Sequence, residues 1–161
     1  MNILEPLIDN GDITLVYDQY TPKWSPETAR DNFSNFLNAN NEVDAIIAAN
    51  DGTAGGVIDA LGNQASNIPV SGQDAELAGV KRIVSGTQTM TVFKSINLIA
   101  EKAAEMAMKV ASGENIDTDT TVNNESKDVP ATLLTPISVT EENIVETIIK
   151  ENHLTKEEIF E

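Results

Sequence analysis

Ala45-Ile46-Ile47-Ala48-Ala49-Asn50-Asp51 and Ile68-Pro69-Val70-Ser71-Gly72-Gln73-Asp74 are the stretches on which the fold turns. Each is an apolar, strand-like run that stops on an acidic residue and gives way to a small-residue helix. The first leads into Thr53-Ala54-Gly55-Gly56 and the second into Ala75. In an α/β layer, ligands meet the sheet at the carboxyl ends of its parallel strands. Two junctions of the same kind therefore place Asn50, Asp51 and Asp74 on one rim, and that rim is where function is expected.

Upstream, Ile13 to Tyr20 is rich in β-branched and aromatic residues and reads as a strand. Thr21-Pro22-Lys23-Trp24-Ser25-Pro26 follows as a loop, with Ser25 as N-cap and Pro26 at the first helical position. Phe33, Phe36 and Leu37 are spaced to bury one side of a helix from Pro26 to about Ala39, which Asn40-Asn41 breaks. Val43 to Ala49 is a nearly unbroken apolar run, as expected for a strand covered on both faces of a parallel sheet. Thr53 to Leu61 is read as a helix despite Gly55 and Gly56, each of which costs about 1 kcal/mol against alanine. Glycine there permits close backbone approach to a neighbouring strand or to a ligand. At the amino end, Leu4, Leu7 and Ile8 share a helix face and Asn10-Gly11 supplies a stop.

Downstream the cycle repeats. Ile68 to Ser71 reads as a strand, Ala75 to Ser85 as a helix, Thr87 to Phe93 as an alternating strand, and Lys94 to Ala111 as the longest helix, stopped at Gly113. Asn115 to Asp128 is polar and acidic and is read as a loop. Leu133 to Val139 reads as a last strand interrupted by Pro136, which suits an edge or crossover, and Thr140 opens a final helix through about Glu151. Repeated βα units of this kind imply an α/β fold with a doubly wound parallel sheet. The units that normally centre such a sheet are not among these elements, so the chain is expected to be part of a larger one.

The 161 residues are enough for one ordinary domain, and 40% are apolar. A net charge of −16, from 26 acidic against 10 basic residues, would repel a phosphate backbone, so nucleic acid is not an expected partner. Much of the acidity lies in Glu141 to Glu161, read as a solvated helix face or a frayed tail with no task beyond solubility. Cysteine is absent, and the single histidine, His153, has no second imidazole or thiol with which to share a metal. Nothing calls for a cofactor. No run of 18 or more apolar residues is present, and residues 1–8 lack the basic leader and long apolar stretch of a secretory signal.

Four residues stand out as candidate ligand groups, each with a plainer alternative. Trp24, the only tryptophan, either plugs a gap between loop and helix or offers an indole face to the apolar C–H face of a pyranose. Asn50 either caps the Thr53 helix or supplies a donor and an acceptor to a hydroxyl pair. Asp74 stands before Ala75 as an N-cap would, or accepts two hydroxyl protons in charge-assisted bonds. Lys94 places a positive charge where it opposes a helix dipole, which is weak grounds for assigning it to a ligand hydroxyl. Enzyme readings would make Asp51 and Asp74 a glycosidase pair or magnesium ligands, or Ser71 a nucleophile. The chain has no G-x-S-x-G elbow, Walker-type loop or G-x-G-x-x-G fingerprint to support them.

AIIAANDGTAGGVIDAL, IPVSGQDAELAGVKRIVSGTQTMTVFKSI and NNESKDVPATLLTPISV, in this order and spacing, resemble the second half of bacterial periplasmic sugar-binding proteins of the ribose and xylose type. The likeness runs from about Met1 to at least Ile149. It implies two doubly wound lobes joined by three crossovers, with a monosaccharide between them. Residues 1–86 would be second-lobe βα units, 87–113 a strand and helix crossing into the first lobe, and 114–161 the return strand, final helix and acidic tail. By the same resemblance Trp24 is the aromatic platform, Asn50 and Asp74 are hydroxyl partners, Lys94 lies just past a crossover, and Asp51 is a structural neighbour of Asn50. The implied protein is an extracytoplasmic or lipid-anchored receptor for a pentose, with xylose the expected sugar. Its implied partners are an ATP-driven permease or a sensor kinase, and a missing first half or second chain. A sugar-responsive transcription regulator of the same lobe architecture and a small α/β hydrolase are the alternatives from other classes.

Overall fold

The computed structural model describes residues 3–39 and 42–161. Met1 and Asn2, and the helix break assigned to Asn40-Asn41, lie outside the described residues. The helices and strands run in the order α1 (Glu5–Asp9), α2 (Pro26–Asn38), β1 (Ile46–Ile47), α3 (Asp51–Leu61), β2 (Val70–Gln73), α4 (Leu77–Val84), β3 (Met90–Phe93) and α5 (Ile96–Ser112). They continue with β4 (Thr120–Asn123), β5 (Asp128–Ala131), β6 (Ile137–Val139) and α6 (Lys156–Phe160).

Among the described residues, four strands form one sheet in the order β1-β2-β3-β6. β1, β2 and β3 are parallel, with Ile47 opposite Ser71 and Gly72 opposite Thr91, and β6 closes the edge antiparallel to β3. The expected α/β architecture is therefore present as a mixed sheet that is mainly parallel. β6 begins just after Pro136, where a missing N–H costs no ladder bond. The Thr87 to Phe93 segment supplies β3, held between β2 and β6, and the chain leaves the sheet only after Phe93.

Two apolar clusters flank the sheet. One joins Ala29 and Phe33 of α2, Ala54, Val57, Ile58 and Leu61 of α3, and Val70 of β2. Phe33 is 1% exposed, so truncating it to alanine would cost about 3–5 kcal/mol. Gly56 makes this cluster possible, because a Cβ there would strike the Pro26 carbonyl and crowd the Arg30 amide. The close approach predicted for this glycine is thus to a helix, α2, and not to a strand or ligand. The second cluster joins Val80 and Ile83 of α4, Phe93, Val139, Ile144, Ile148 and Ile159.

That second cluster corrects the reading of the acidic tail. Glu141–Asn143 forms a 3₁₀ turn, Val145–Ile149 a π-type turn, and α6 packs on α4 with Ile159 buried. His153 joins the same core, its ring 4.9 Å from that of Phe93 and its Nε2 3.0 Å from the Ala75 carbonyl oxygen.

Three further readings are corrected. Ile13 to Tyr20 pairs with no strand among the described residues. Tyr17 is its part-buried residue, edge-on to Phe33 at 5.3 Å and against Phe36 at 4.9 Å, while Ile13 N donates to the Leu7 carbonyl at 3.0 Å and Leu15 and Val16 stay exposed. β-propensity records fit to a pleated, half-buried surface, and every residue of this segment but Tyr17 is exposed. β1 spans two residues at the sheet's edge, with Ile47 73% exposed, so the Val43 to Ala49 run is not covered on both faces. Within Asn115 to Asp128, read as a loop, Thr120-Thr121-Val122-Asn123 pairs antiparallel with Asp128–Ala131 as a hairpin.

Candidate functional site

Each strand-helix junction turns its end group toward the same hollow. Asn50 takes the capping position expected of it, whereas α4 starts at Leu77 behind Glu76, so Asp74 is not its N-cap. At the first, Asn50 is the N-cap of α3: its Oδ1 accepts from Thr53 N at 2.9 Å, and Thr53 Oγ1 accepts from Asn50 N at 3.2 Å. The capping role is therefore real, and it occupies the oxygen of the side chain. At the second, β2 ends at Gln73 and the backbone turns through Asp74 (φ 93) and Ala75 (φ 52), both left-handed, before α4. Such angles cost non-glycine residues on the order of 1–3 kcal/mol each and persist only where the surroundings enforce them.

Trp24 is presented by a similar device. Pro22–Trp24 is a tight turn with positive φ at Lys23 (57) and Trp24 (51), followed at once by the Ser25 cap of α2. Ser25 Oγ accepts from Thr28 N at 3.2 Å and donates to Glu27 Oε2 at 2.8 Å. The indole is 62% exposed, so the gap-filling alternative does not describe it.

Lys94 follows β3 directly and precedes Ser95, the N-cap of α5. Its Nζ lies 2.8 Å from Asp74 Oδ1, so the charge that opposes the helix dipole is met by a carboxylate. Trp24, Asn50, Asp74 and Lys94, with Ala49 and Gln73, line one hollow of about 290 Å³. All four candidates from the sequence are thus brought together. Gln73 was missed, although it lies inside the second decisive stretch; its Nε2 donates to the Ala49 carbonyl at 3.4 Å across the two strand ends.

Asp51 is placed elsewhere. It opens α3 with 0% exposure, and its carboxylate accepts from Gln88 Nε2 (2.7 Å), Thr91 Oγ1 (2.9 Å) and Glu76 N (2.9 Å). Arg82 donates to its backbone carbonyl and, through Nε at 3.0 Å, to Gln88 Oε1. A Cβ at either Gly72 or Gly79 would overlap this carboxylate, so glycine at both positions is what gives it room. Burial pushes the Asp51 carboxyl above the ordinary aspartate value, against the pull of the three donors and of Arg82. A group so enclosed cannot meet a substrate, which removes it from the glycosidase and magnesium readings. Ser71 is an internal residue of β2, paired between Ile47 and Met90.

The hollow combines an exposed indole, an amide, a carboxylate and an ammonium at the carboxyl ends of parallel strands. An apolar plate beside a few convergent polar groups suits a small polyhydroxylated molecule. The D-xylose-binding periplasmic protein of Escherichia coli is 49% identical to this chain, covering 99% of it and 49% of that protein. Among solved structures, the ABC transporter solute-binding protein of Clostridium phytofermentans with bound β-D-glucose superposes with a TM-score of 0.83 at 26% identity, over 99% of this chain and 53% of that one. The carbohydrate transporter solute-binding protein of Chloroflexus aurantiacus in complex with D-glucose gives 0.81 at 28% identity, over 97% and 54%. The chain spans about half the length of the curated relatives it matches. Residues 1–115 match the periplasmic binding protein domain, and with relatives this close along its whole length the chain belongs to the periplasmic binding protein family.

Proposed function

We propose that this chain is the C-terminal half of an extracytoplasmic receptor that binds a monosaccharide, with D-xylose the expected ligand, by stacking and hydrogen bonding and without catalysis. The observation that carries the reading is the convergence of Trp24, Asn50, Asp74 and Lys94 on one hollow. On this reading the sugar lays its C–H face on Trp24 and exchanges hydroxyl bonds with the Asn50 amide, the Asp74 carboxylate and the Lys94 ammonium. The xylose-binding relative supports the choice of pentose, and the glucose-bound neighbours support the choice of a monosaccharide.

The four-stranded sheet and the helices packed on it would then form one lobe and one wall of a cleft. On this reading the chain crosses toward the other lobe after Phe93 and returns at β6, which the exposure of Ile96, Leu98 and Ile99 on α5 and the pairing of β6 with β3 support. Closure of the two lobes on the sugar is the output, read by an ATP-driven membrane permease or by a sensor kinase. Isothermal titration of the complete receptor chain with xylose, ribose and glucose tests the reading. Heat of binding with xylose is expected, and the absence of heat with any pentose would overturn it.

A further inference from the structure

Four contacts from three separate parts of the chain converge on the backbone of residues 74–76. Thr91 Oγ1, from the middle of β3, accepts from Ala75 N at 3.2 Å and donates to Asp51 Oδ2 at 2.9 Å. Asp51 Oδ2 also accepts from Glu76 N at 2.9 Å, and the Ala75 carbonyl lies 3.0 Å from His153 Nε2. Asp74 N donates to the Val92 carbonyl at 2.9 Å. The two residues with left-handed φ, Asp74 and Ala75, sit inside this set of bonds.

We propose that Asp51 and Thr91 are positioning residues of the sugar site, which hold the Asp74-Ala75 backbone left-handed and so direct the Asp74 carboxylate into the hollow. The inference rests on the monosaccharide reading and adds to it two residues that line no part of the hollow. An acidic residue in the first turn of a helix ordinarily serves the helix dipole from a solvated position. Asp51 is buried instead, and its carboxylate bonds run to the start of α4, to Gln88 ahead of β3 and to Thr91 in β3, outside its own helix. Because Asn50 is the residue before Asp51, the same side chain also sets the offset between the two junctions that carry Asn50 and Asp74. Thr91 is the link that can be tested most cleanly, since its hydroxyl bridges Asp51 and Ala75 while its methyl only packs.

The experiment compares Thr91→Val, Thr91→Ser and Asp51→Asn with the unaltered complete receptor chain. It uses xylose titration, thermal unfolding, and hydrogen exchange at the Ala75 and Glu76 amides. Loss of a buried hydrogen-bond link should weaken xylose binding by about tenfold or more in Thr91→Val and in Asp51→Asn, at a temperature where both are folded. Thr91→Ser keeps the hydroxyl and should bind within about threefold of the unaltered chain. Equal affinity in Thr91→Val and the unaltered chain overturns the proposal, as does a loss that Thr91→Ser shares. Should Thr91→Val not fold, slow exchange of both amides in the unaltered chain with faster exchange in Asp51→Asn supports the proposal, and loop-like exchange in the unaltered chain overturns it. If the unaltered chain binds no sugar, the monosaccharide reading fails by itself, and the exchange comparison still decides whether Asp51 and Thr91 hold this backbone.

Discussion

Lys94 Nζ and Asp74 Oδ1 lie 2.8 Å apart, joining the carboxyl ends of β3 and β2 at the rim of the hollow. Both side chains are partly exposed, and such pairs contribute about 0.2–1 kcal/mol. The left-handed backbone that presents Asp74 costs about 1–3 kcal/mol, so this pair does not justify its own geometry as a stabilising device. The proposed contact of Asp74 with a sugar accounts for it.

Asp74→Gly separates the two roles. It removes the carboxylate and the strain at position 74 together, since glycine populates positive φ freely, and leaves Ala75 as it was. The expected outcome is a melting temperature equal to or above that of the unaltered receptor. Sugar affinity should be lower by about 100-fold, the loss of two charge-assisted bonds of about 1.5 kcal/mol each. Calorimetric melting and titration of the same samples check it; intact binding in this variant would count against a ligand role for Asp74.

Asn50 carries a cap on its amide oxygen and, among the described residues, an amide nitrogen without a hydrogen-bond partner, and two substitutions split them. Asn50→Asp keeps an oxygen for Thr53 N and should leave stability within about 0.5 kcal/mol, whereas Asn50→Ala loses the cap and about 1 kcal/mol. Both remove the donor to a sugar hydroxyl and should weaken binding by about tenfold. Urea denaturation and sugar titration read the two effects separately. If the aspartate variant binds as well as asparagine does, the residue is a cap alone.

The buried carboxyl of Asp51 leaves a signature in the pH dependence of stability. Burial raises it above the ordinary aspartate value, so just above that value the folded chain holds a proton that the unfolded chain has released. Stability therefore falls as pH rises through the window between the ordinary and the raised value, and levels off beyond it. Glu76, raised by burial and by the charges of Asp51 and Asp74, adds a slope of the same sign. Exposed Glu27, Glu105 and Glu158 are shifted down and act in the opposite sense, and their contribution cancels between variants. Asp51→Asn should accordingly give a flatter profile as pH rises from the ordinary aspartate value, measured by denaturant midpoints at fixed pH intervals. An unchanged slope would show that the proton is held elsewhere.

The legible parts of this molecule are those whose signals are local. Apolar runs ending on Asn50 and Asp74, with small-residue helices behind them, marked the rim because periodicity and capping act within a few residues. The network around Asp51 was not legible, since its partners Glu76, Gln88 and Thr91 stand 25, 37 and 40 positions away. The β4–β5 hairpin was hidden by its acidic surroundings. Its turn is closed by side chains, with Asn123 Oδ1 accepting from Glu125 N at 2.8 Å and Asn124 Oδ1 from Lys127 N at 2.9 Å. Ile13 to Tyr20 erred in the other direction, having strand composition but pairing with no strand among the described residues and leaving all but Tyr17 exposed.

Trp24 offers the most direct test, because as the only tryptophan it reports on the site without any label. With 62% of its surface exposed, the ring contributes little to the core, so Trp24→Ala should leave the melting temperature nearly unchanged. A sugar stacked on the indole would exclude water from one face, so titration of the unaltered receptor should shift or change its fluorescence with the same midpoint as the calorimetric isotherm. Truncation to alanine should weaken binding by roughly 10- to 100-fold, as expected for about 1–3 kcal/mol of stacking and apolar burial. Trp24→Phe retains a flat apolar face and should recover part of that loss. If the fluorescence of a sugar-saturated receptor matched that of the free protein, and Trp24→Ala bound normally, the indole would be a solvent-facing loop residue and the hollow would lack the apolar plate on which the sugar is proposed to rest.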